Sequence, residues 1–139
     1  MSHNAEQVIR TFYRTVLESG DVSGAAGLVT DDFVDHELPM PVEPGVASVQ
    51  ALVGFLHSTF ADLRYTVEDI FETGDRIAFR VFVDATQRGP LFGHPTLGRS
   101  MRVQQIHICR MADGRIAEHW ACRDDLGAMR QLGHLPQPA

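Results

Sequence analysis

The chain has 139 residues, 44% hydrophobic and 22% charged, with a formal net charge of -6; that length gives one domain able to bury a core without disulfide or metal staples. The acidic balance excludes a nucleic-acid surface, which needs a basic patch, and all 12 basic residues are arginine. No run of 18 apolar residues occurs, so no membrane span is expected, and the N-terminus carries no apolar signal core, which sets a cytoplasmic expectation.

In chain order, residues 5–18 predict an amphipathic helix. Val8, Ile9, Phe12, Tyr13, Val16 and Leu17 recur at i, i+1, i+4 and i+5, a broad apolar stripe. Gly20 is placed to stop it, and Asp21 to cap a short second helix over 22–29. Residues 32–37 read as extended and end before Pro39, within the proline-rich loop 38–45. Ser48 is a candidate cap for a third helix over 48–60, with Val49, Leu52, Val53, Leu56 and Phe60 on one face.

From Leu63 the hydrophobic period changes from helical to about two. Residues 65–72 predict a strand, and Gly74-Asp75 a turn into a second strand over 76–87. There Ile77, Phe79, Val81, Val83 and Ala85 face one way, and Arg80 and Asp84 the other. Residues 88–98, with glycines and prolines, predict a long connection. Strands over 101–111 and 115–123 flank Asp113-Gly114, a strong hairpin signal. Residues 125–132 predict a closing helix, and Pro136 and Pro138 a frayed tail. Helices followed by an antiparallel meander give an α+β fold, with the N-terminal helices packed on the concave face of a curved, cone-shaped antiparallel sheet. A pocket between sheet and helices is a usual place for a small ligand.

The residues able to do chemistry gather near the last strand. Simple alternation along 115–124 groups Ile116, Glu118, Trp120, Cys122 and Asp124. If Trp120 faces the pocket, Asp124 does too, and an indole beside the carboxylate would raise its pKa toward the acid/base range. The competing reading is that Asp124 or Asp125 caps the last helix. His107 shares a strand face with Val103, Gln105 and Cys109, either as a pocket group or as a satisfied core histidine. His36 lines the pocket mouth or ends a strand. His119, opposite in parity to Trp120, is expected outside or at an edge, and His3, His57, His94 and His134 on the surface.

No H-x-x-x-H or H-E-x-x-H occurs on a helix, so no metal is expected. No G-x-S-x-G, G-x-G-x-x-G or Walker pattern points to covalent catalysis or a nucleotide cofactor. Cys109 and Cys122, on predicted strands and without C-x-x-C spacing, are expected as free thiols.

From about Val8 to Gly133 the chain resembles the SnoaL-like polyketide cyclases, a branch of the cone fold shared with ketosteroid isomerase. The resemblance rests on Asp31-Asp32-Phe33-Val34-Asp35-His36, Phe60-Ala61-Asp62-Leu63-Arg64, Gly74-Asp75-Arg76-Ile77-Ala78 and Gly93-His94-Pro95-Thr96-Leu97-Gly98-Arg99. It continues through Asp113-Gly114-Arg115-Ile116-Ala117-Glu118-His119-Trp120, Asp124 and Gln131-Leu132-Gly133. It implies a single domain over 1–139 with a core of about 5–133. It also implies a cofactor-free intramolecular aldol ring closure on a polyketide ester. Asp124 matches the family's acid/base, and His36 and His107 its pocket histidines. Trp120, Tyr13, Gln105, Phe55 and Gln87 are the expected contacts to a small apolar or aromatic polyketide-like ligand. Gln87 stands where many relatives carry a histidine, so a proton-transfer role at that position is lost.

The alternatives are an isomerase, hydratase or epoxide hydrolase on the same fold, or a binding module without turnover. An epoxide hydrolase would want a carboxylate–arginine–carboxylate set, and alternation leaves Arg102 and Arg123 off the pocket face. A partly apolar convex sheet face predicts a homodimer.

Overall fold

The computed structural model describes residues 2–137, with side chains from Ala5 to Gln137. His3's side chain and Pro138 therefore lie outside the described residues.

Helix α1 (Ser2–Thr11) runs into a π-helical segment, Phe12–Glu18. The wider π coil suits the paired apolar spacing, because it turns Phe12, Tyr13, Val16 and Leu17 all inward. Gly20 ends it as expected, at φ 77 with its N–H donating to the Val16 carbonyl at 3.0 Å. The expected second helix shrinks to a single 3-10 turn, Ala25–Gly27. Gly24 and Gly27 disfavour helix there, and Val29 is drawn into strand β1 (Val29–Asp35). Helix α2 spans Val46–Thr59 with Gly45, not Ser48, at its N-cap; the Ser48 hydroxyl donates to the Gly45 carbonyl at 2.8 Å.

Strands β2 (Phe60–Thr73), β3 (Arg76–Gln87), β4 (Ser100–Ala112) and β5 (Arg115–Arg123) form the meander, and α3 (Asp125–Gln131) follows. The Asp113-Gly114 hairpin turn has both residues at positive φ, 52 and 75, as a tight two-residue turn requires. Among the described residues the five strands make one curled sheet in the order β1-β5-β4-β3-β2. The sheet is mixed rather than purely antiparallel, because β1 pairs parallel with β5, Asp35 opposite His119. On β3 the expected alternation holds: Ile77, Phe79, Val81, Val83 and Ala85 are buried against the helices. On the other face Arg80 pairs with Asp69, and Arg102 with Asp84.

One irregularity decides where the chemistry points. Met111 pairs with Ile116, but Arg110 pairs with Glu118, so Ala117 is an extra, unpaired residue in β5. A bulge of this kind inverts the alternation beyond it. Ile116 and Ala117 are both buried, and past them the odd positions, beginning with His119, face the interior.

Candidate active site

The sheet and helices enclose a cavity of about 220 Å³. Its walls are apolar: Leu17, Leu52, Phe55 and Leu56 on the helix side, Phe60, Met101 and Val103 on the sheet. Leu91 and Phe92 of the 88–98 connection lie over it, with the Phe92 ring 6.0 Å from that of Phe55. Its polar groups fall into two sets, one on the floor and one at the mouth.

On the floor, β1 contributes Asp35, β4 Gln105 and His107, β5 His119, and the π segment Tyr13. They form one hydrogen-bonded chain. Asp35 Oδ1 lies 2.8 Å from His119 Nδ1, and His119 Nε2 lies 2.8 Å from His107 Nδ1. His107 Nδ1 is also 3.2 Å from the Tyr13 hydroxyl, and its Nε2 is 2.8 Å from Gln105 Oε1. His107 is stacked between the rings of Phe79 and His119, at 5.1 and 5.0 Å. Burial first, then the charges of His119 and Arg123, push His107 well below its ordinary 6.5 and keep it neutral. Burial alone would raise the Asp35 carboxyl. The hydrogen bond and charge of His119, with the Glu37 N–H and Arg123, outweigh it and hold Asp35 below 3.8. Burial raises the Tyr13 hydroxyl well above 10, so it remains a donor.

At the mouth stand Glu37, Arg123, Asp124 and Asp125. β5 ends at Arg123, and the backbone turns at Asp124 (φ -81, ψ 70), which breaks the alternation and places this residue at the rim. Asp124 also caps α3, accepting the Gly127 N–H at 2.8 Å. The two readings of this residue therefore coexist in one side chain.

Tyr13, Gln105, Phe55, His107 and Asp124 thus line one pocket, whereas three expected site residues do not. Trp120 is on the outer face because of the bulge at Ala117; its ring stacks on His36 at 5.0 Å and carries the Arg76 guanidinium. The indole therefore does not desolvate Asp124. His36 lies outside with it, half-exposed, its Nε2 2.8 Å from Glu118 Oε2. Gln87 is buried but points into the 88–98 connection, its amide donating to the carbonyls of Gly89 and His94. Its Oε1 is 2.6 Å from His134 Nε2, and His134 stacks on His94, so these two histidines are structural rather than idle surface groups.

Sequence reasoning missed Asp35, His119 and Arg123. Asp35 shares parity with the apolar Phe33, which was a usable signal; the other two are hidden by the bulge. Arg123 lines the pocket, which corrects the parity argument that excluded it. Among the described residues no group of three or more His, Cys, Asp or Glu is placed to share a metal ion, and no helix is long and apolar enough to cross a membrane. Cys109 is buried and Cys122 exposed, both free; their partners across the hairpin, His119 and Ile106, put them on opposite faces.

The family model described as SnoaL-like polyketide cyclase matches residues 7–132. The chain belongs to this family. Among its relatives, nogalonic acid methyl ester cyclase of Streptomyces nogalater is 29% identical over 74% of this chain and 82% of its own. Aklanonic acid methyl ester cyclase DauD of a Streptomyces strain, C5, is 30% identical over 75% of this chain and 71% of its own. Among solved structures, TsrD from Streptomyces laurentii superposes with a TM-score of 0.86 at 31% identity, covering 96% of this chain and 97% of its own. The cone-shaped α+β fold is thus the family's fold.

Proposed function

We propose that this protein closes a ring in a polyketide ester by intramolecular aldol-type addition. The observation that carries the reading is an apolar-walled pocket with a carboxylate, Asp124, at its mouth and neutral hydrogen-bonding groups, His107 and Gln105, on its floor. In the reaction a C–H between two carbonyls loses its proton to Asp124. The carbanion adds to a carbonyl carbon of the same molecule, and the new alkoxide takes a proton, so product and substrate are isomers. A proton between two carbonyls is already acidic, and the substrate's conjugation spreads the enolate charge. One positioned carboxylate can therefore carry the proton traffic. Tyr13, Gln105 and Phe55 would contact the ligand. The free thiols fit a reducing cytoplasm.

The test is a surrogate 1,3-dicarbonyl ester able to close a ring. Appearance of a cyclised isomer, with catalysed deuterium exchange at the acidic carbon, is the expected outcome. Binding without either would favour a ligand-binding module. One observation favours a hydrolytic reading: Arg123 stands in the pocket with its Nε 3.6 Å from Asp125 Oδ1, an arginine–carboxylate pair able to hold water. Incorporation of labelled oxygen from water into an epoxide substrate would support that reading over ring closure.

We also propose that the chain pairs with a second copy through the outer sheet face, where Ile106 and Phe71 are 53% and 70% exposed.

A further inference from the structure

The floor chain holds more polar groups than a base at the mouth requires, and its hydrogen bonds allow only two proton arrangements. Asp35 is almost sealed, its side chain 4% exposed, and it also accepts the Glu37 N–H at 2.9 Å. It is therefore an acceptor, and His119 Nδ1–H donates to it at 2.8 Å. The arrangements differ in the next link, the 2.8 Å contact between His119 Nε2 and His107 Nδ1. Exactly one proton must sit there, because two lone pairs at that distance repel.

If His119 supplies the proton, it carries both ring hydrogens and is a cation beside Asp35. His107 Nδ1 then offers its one lone pair to His119 Nε2–H, with the Tyr13 hydroxyl a longer, secondary contact at 3.2 Å, and His107 Nε2–H donates to Gln105 Oε1 at 2.8 Å. The amide of Gln105 is thereby fixed with its NH2 group free. If His107 supplies the proton instead, its Nε2 becomes an acceptor. Gln105 must then turn its NH2 toward His107 and leave its carbonyl free. The first arrangement gives the buried Asp35 carboxylate a hydrogen-bonded counter-charge; the second leaves it the Glu37 N–H and the charge of Arg123 alone, which costs more. The groups facing His119 are Asp35 from β1, Tyr13 from the π segment, and His107 and Cys109 from β4. Of these Asp35 alone is a carboxylate.

We propose that Asp35 and His119 are positioning residues that set the polarity of Gln105, making it a hydrogen-bond donor to an oxygen that gains negative charge in the pocket. This deepens the ring-closure reading and rests on it: Asp124 at the mouth handles the carbon-bound proton, and Gln105 on the floor stabilises the enolate or alkoxide oxygen. A preorganised donor aimed at a developing oxyanion is effective because it does not have to reorient during the reaction. The polarity is set through His107 by Asp35 and His119, which act on the orientation of the Gln105 amide rather than on the oxygen that gains charge.

The test needs no turnover, so it stands apart from success or failure of the ring-closure assay. Nitrogen-15 NMR of the histidine rings in the intact protein reads the protons directly. His119 is expected with both nitrogens protonated and His107 with Nε2–H only. An unprotonated His119 Nε2 together with His107 Nδ1–H would overturn the proposal. The probe for the pocket is 2-naphthol, whose absorbance separates phenol from phenolate. Wild type is expected to favour the bound phenolate. Asp35→Asn leaves His119 neutral, forces His107 to Nδ1–H, and turns the Gln105 carbonyl toward the probe. Phenolate affinity should then fall by about 10–100-fold, the scale of one hydrogen bond to a charged group, with the bound probe un-ionised. Gln105→Leu should lower phenolate affinity similarly while leaving the His119 ring signals unchanged. A folded Asp35→Asn protein with unaltered phenolate affinity and histidine tautomers would refute the assignment. Should Asp35→Asn not fold, the wild-type ring signals and Gln105→Leu still decide it.

Discussion

Asp124 accepts the backbone N–H of Gly127 at 2.8 Å and is also one of the residues that line the pocket mouth. A helix cap and a proposed base are therefore one side chain, and the two duties separate by mutation. Asn caps a helix as well as Asp. Asp124→Asn should melt close to wild type while turnover of the surrogate ester falls by about 10²–10⁴-fold. Substrate affinity should change far less. Asp124→Ala should lose the same activity and a further ~1 kcal/mol of stability. Steady-state kinetics and thermal melts of both variants check this; equal turnover of wild type and Asp124→Asn would remove Asp124 from the mechanism.

Acid should weaken the fold through His107 and Asp35. His107 is held neutral below its ordinary 6.5, so on acidification the unfolded chain takes up that proton first. Its contribution to stability is lost as pH falls below 6.5. Asp35, held below 3.8, contributes above that value, and the contribution goes as pH falls through its folded value. Each one-proton difference is worth about 1.4 kcal/mol per pH unit. Read from urea midpoints, the margin of wild type over His107→Gln should narrow between about pH 7.5 and pH 5.5.

How much of this was legible in the sequence depends on where alternation runs unbroken. On β3 it does, and the inward set from Ile77 to Ala85 follows from spacing alone. On β5 a single unpaired residue, Ala117, exchanges the roles of His119 and Trp120. Nothing local distinguishes an alanine in a bulge from one in a regular ladder, and the register shifts at this point in the pairings of β5 with both β4 and β1. The floor was only half visible for the same reason. His107 and Gln105 share a clean strand face, whereas Asp35 comes from a strand distant in sequence and His119 is turned inward by the bulge. Asp124 was expected at the pocket because of an indole beside it; the residue lines the mouth, but the indole lies on the other face.

The outer face should hold two copies together. Ile106 lies opposite Arg80 and Cys122 on neighbouring strands and is 53% exposed. Ile106→Arg adds a charge beside Arg80 and should convert a dimer to a monomer in light scattering, with 2-naphthol binding unchanged. A monomer mass for wild type at micromolar concentration would refute the dimer.

Gln87 should act through the connection it anchors rather than through the ligand. It is 1% exposed and makes three hydrogen bonds, to Gly89, His94 and His134. Gln87→Leu should cost about 1–3 kcal/mol by leaving those partners unpaired. Amide exchange at Leu91 and His94, which bond each other, should speed up, and apolar ligands should bind more weakly as Phe92 loses its support. Hydrogen exchange by mass spectrometry would check the first, and probe titration the second.

The parallel pairing of β1 with β5 has a consequence for synthesis. Asp35 meets His119 across 84 residues of chain. On the ribosome, β1 emerges early and waits, edge unpaired, until the final hairpin is complete. A chain halted before Arg115 would own the apolar walls and most of the floor but not His119, leaving Asp35 without its partner. Contacts between such remote segments make folding slow. They also act as a completeness check: only a finished polypeptide can close its sheet and assemble a working pocket in the same event.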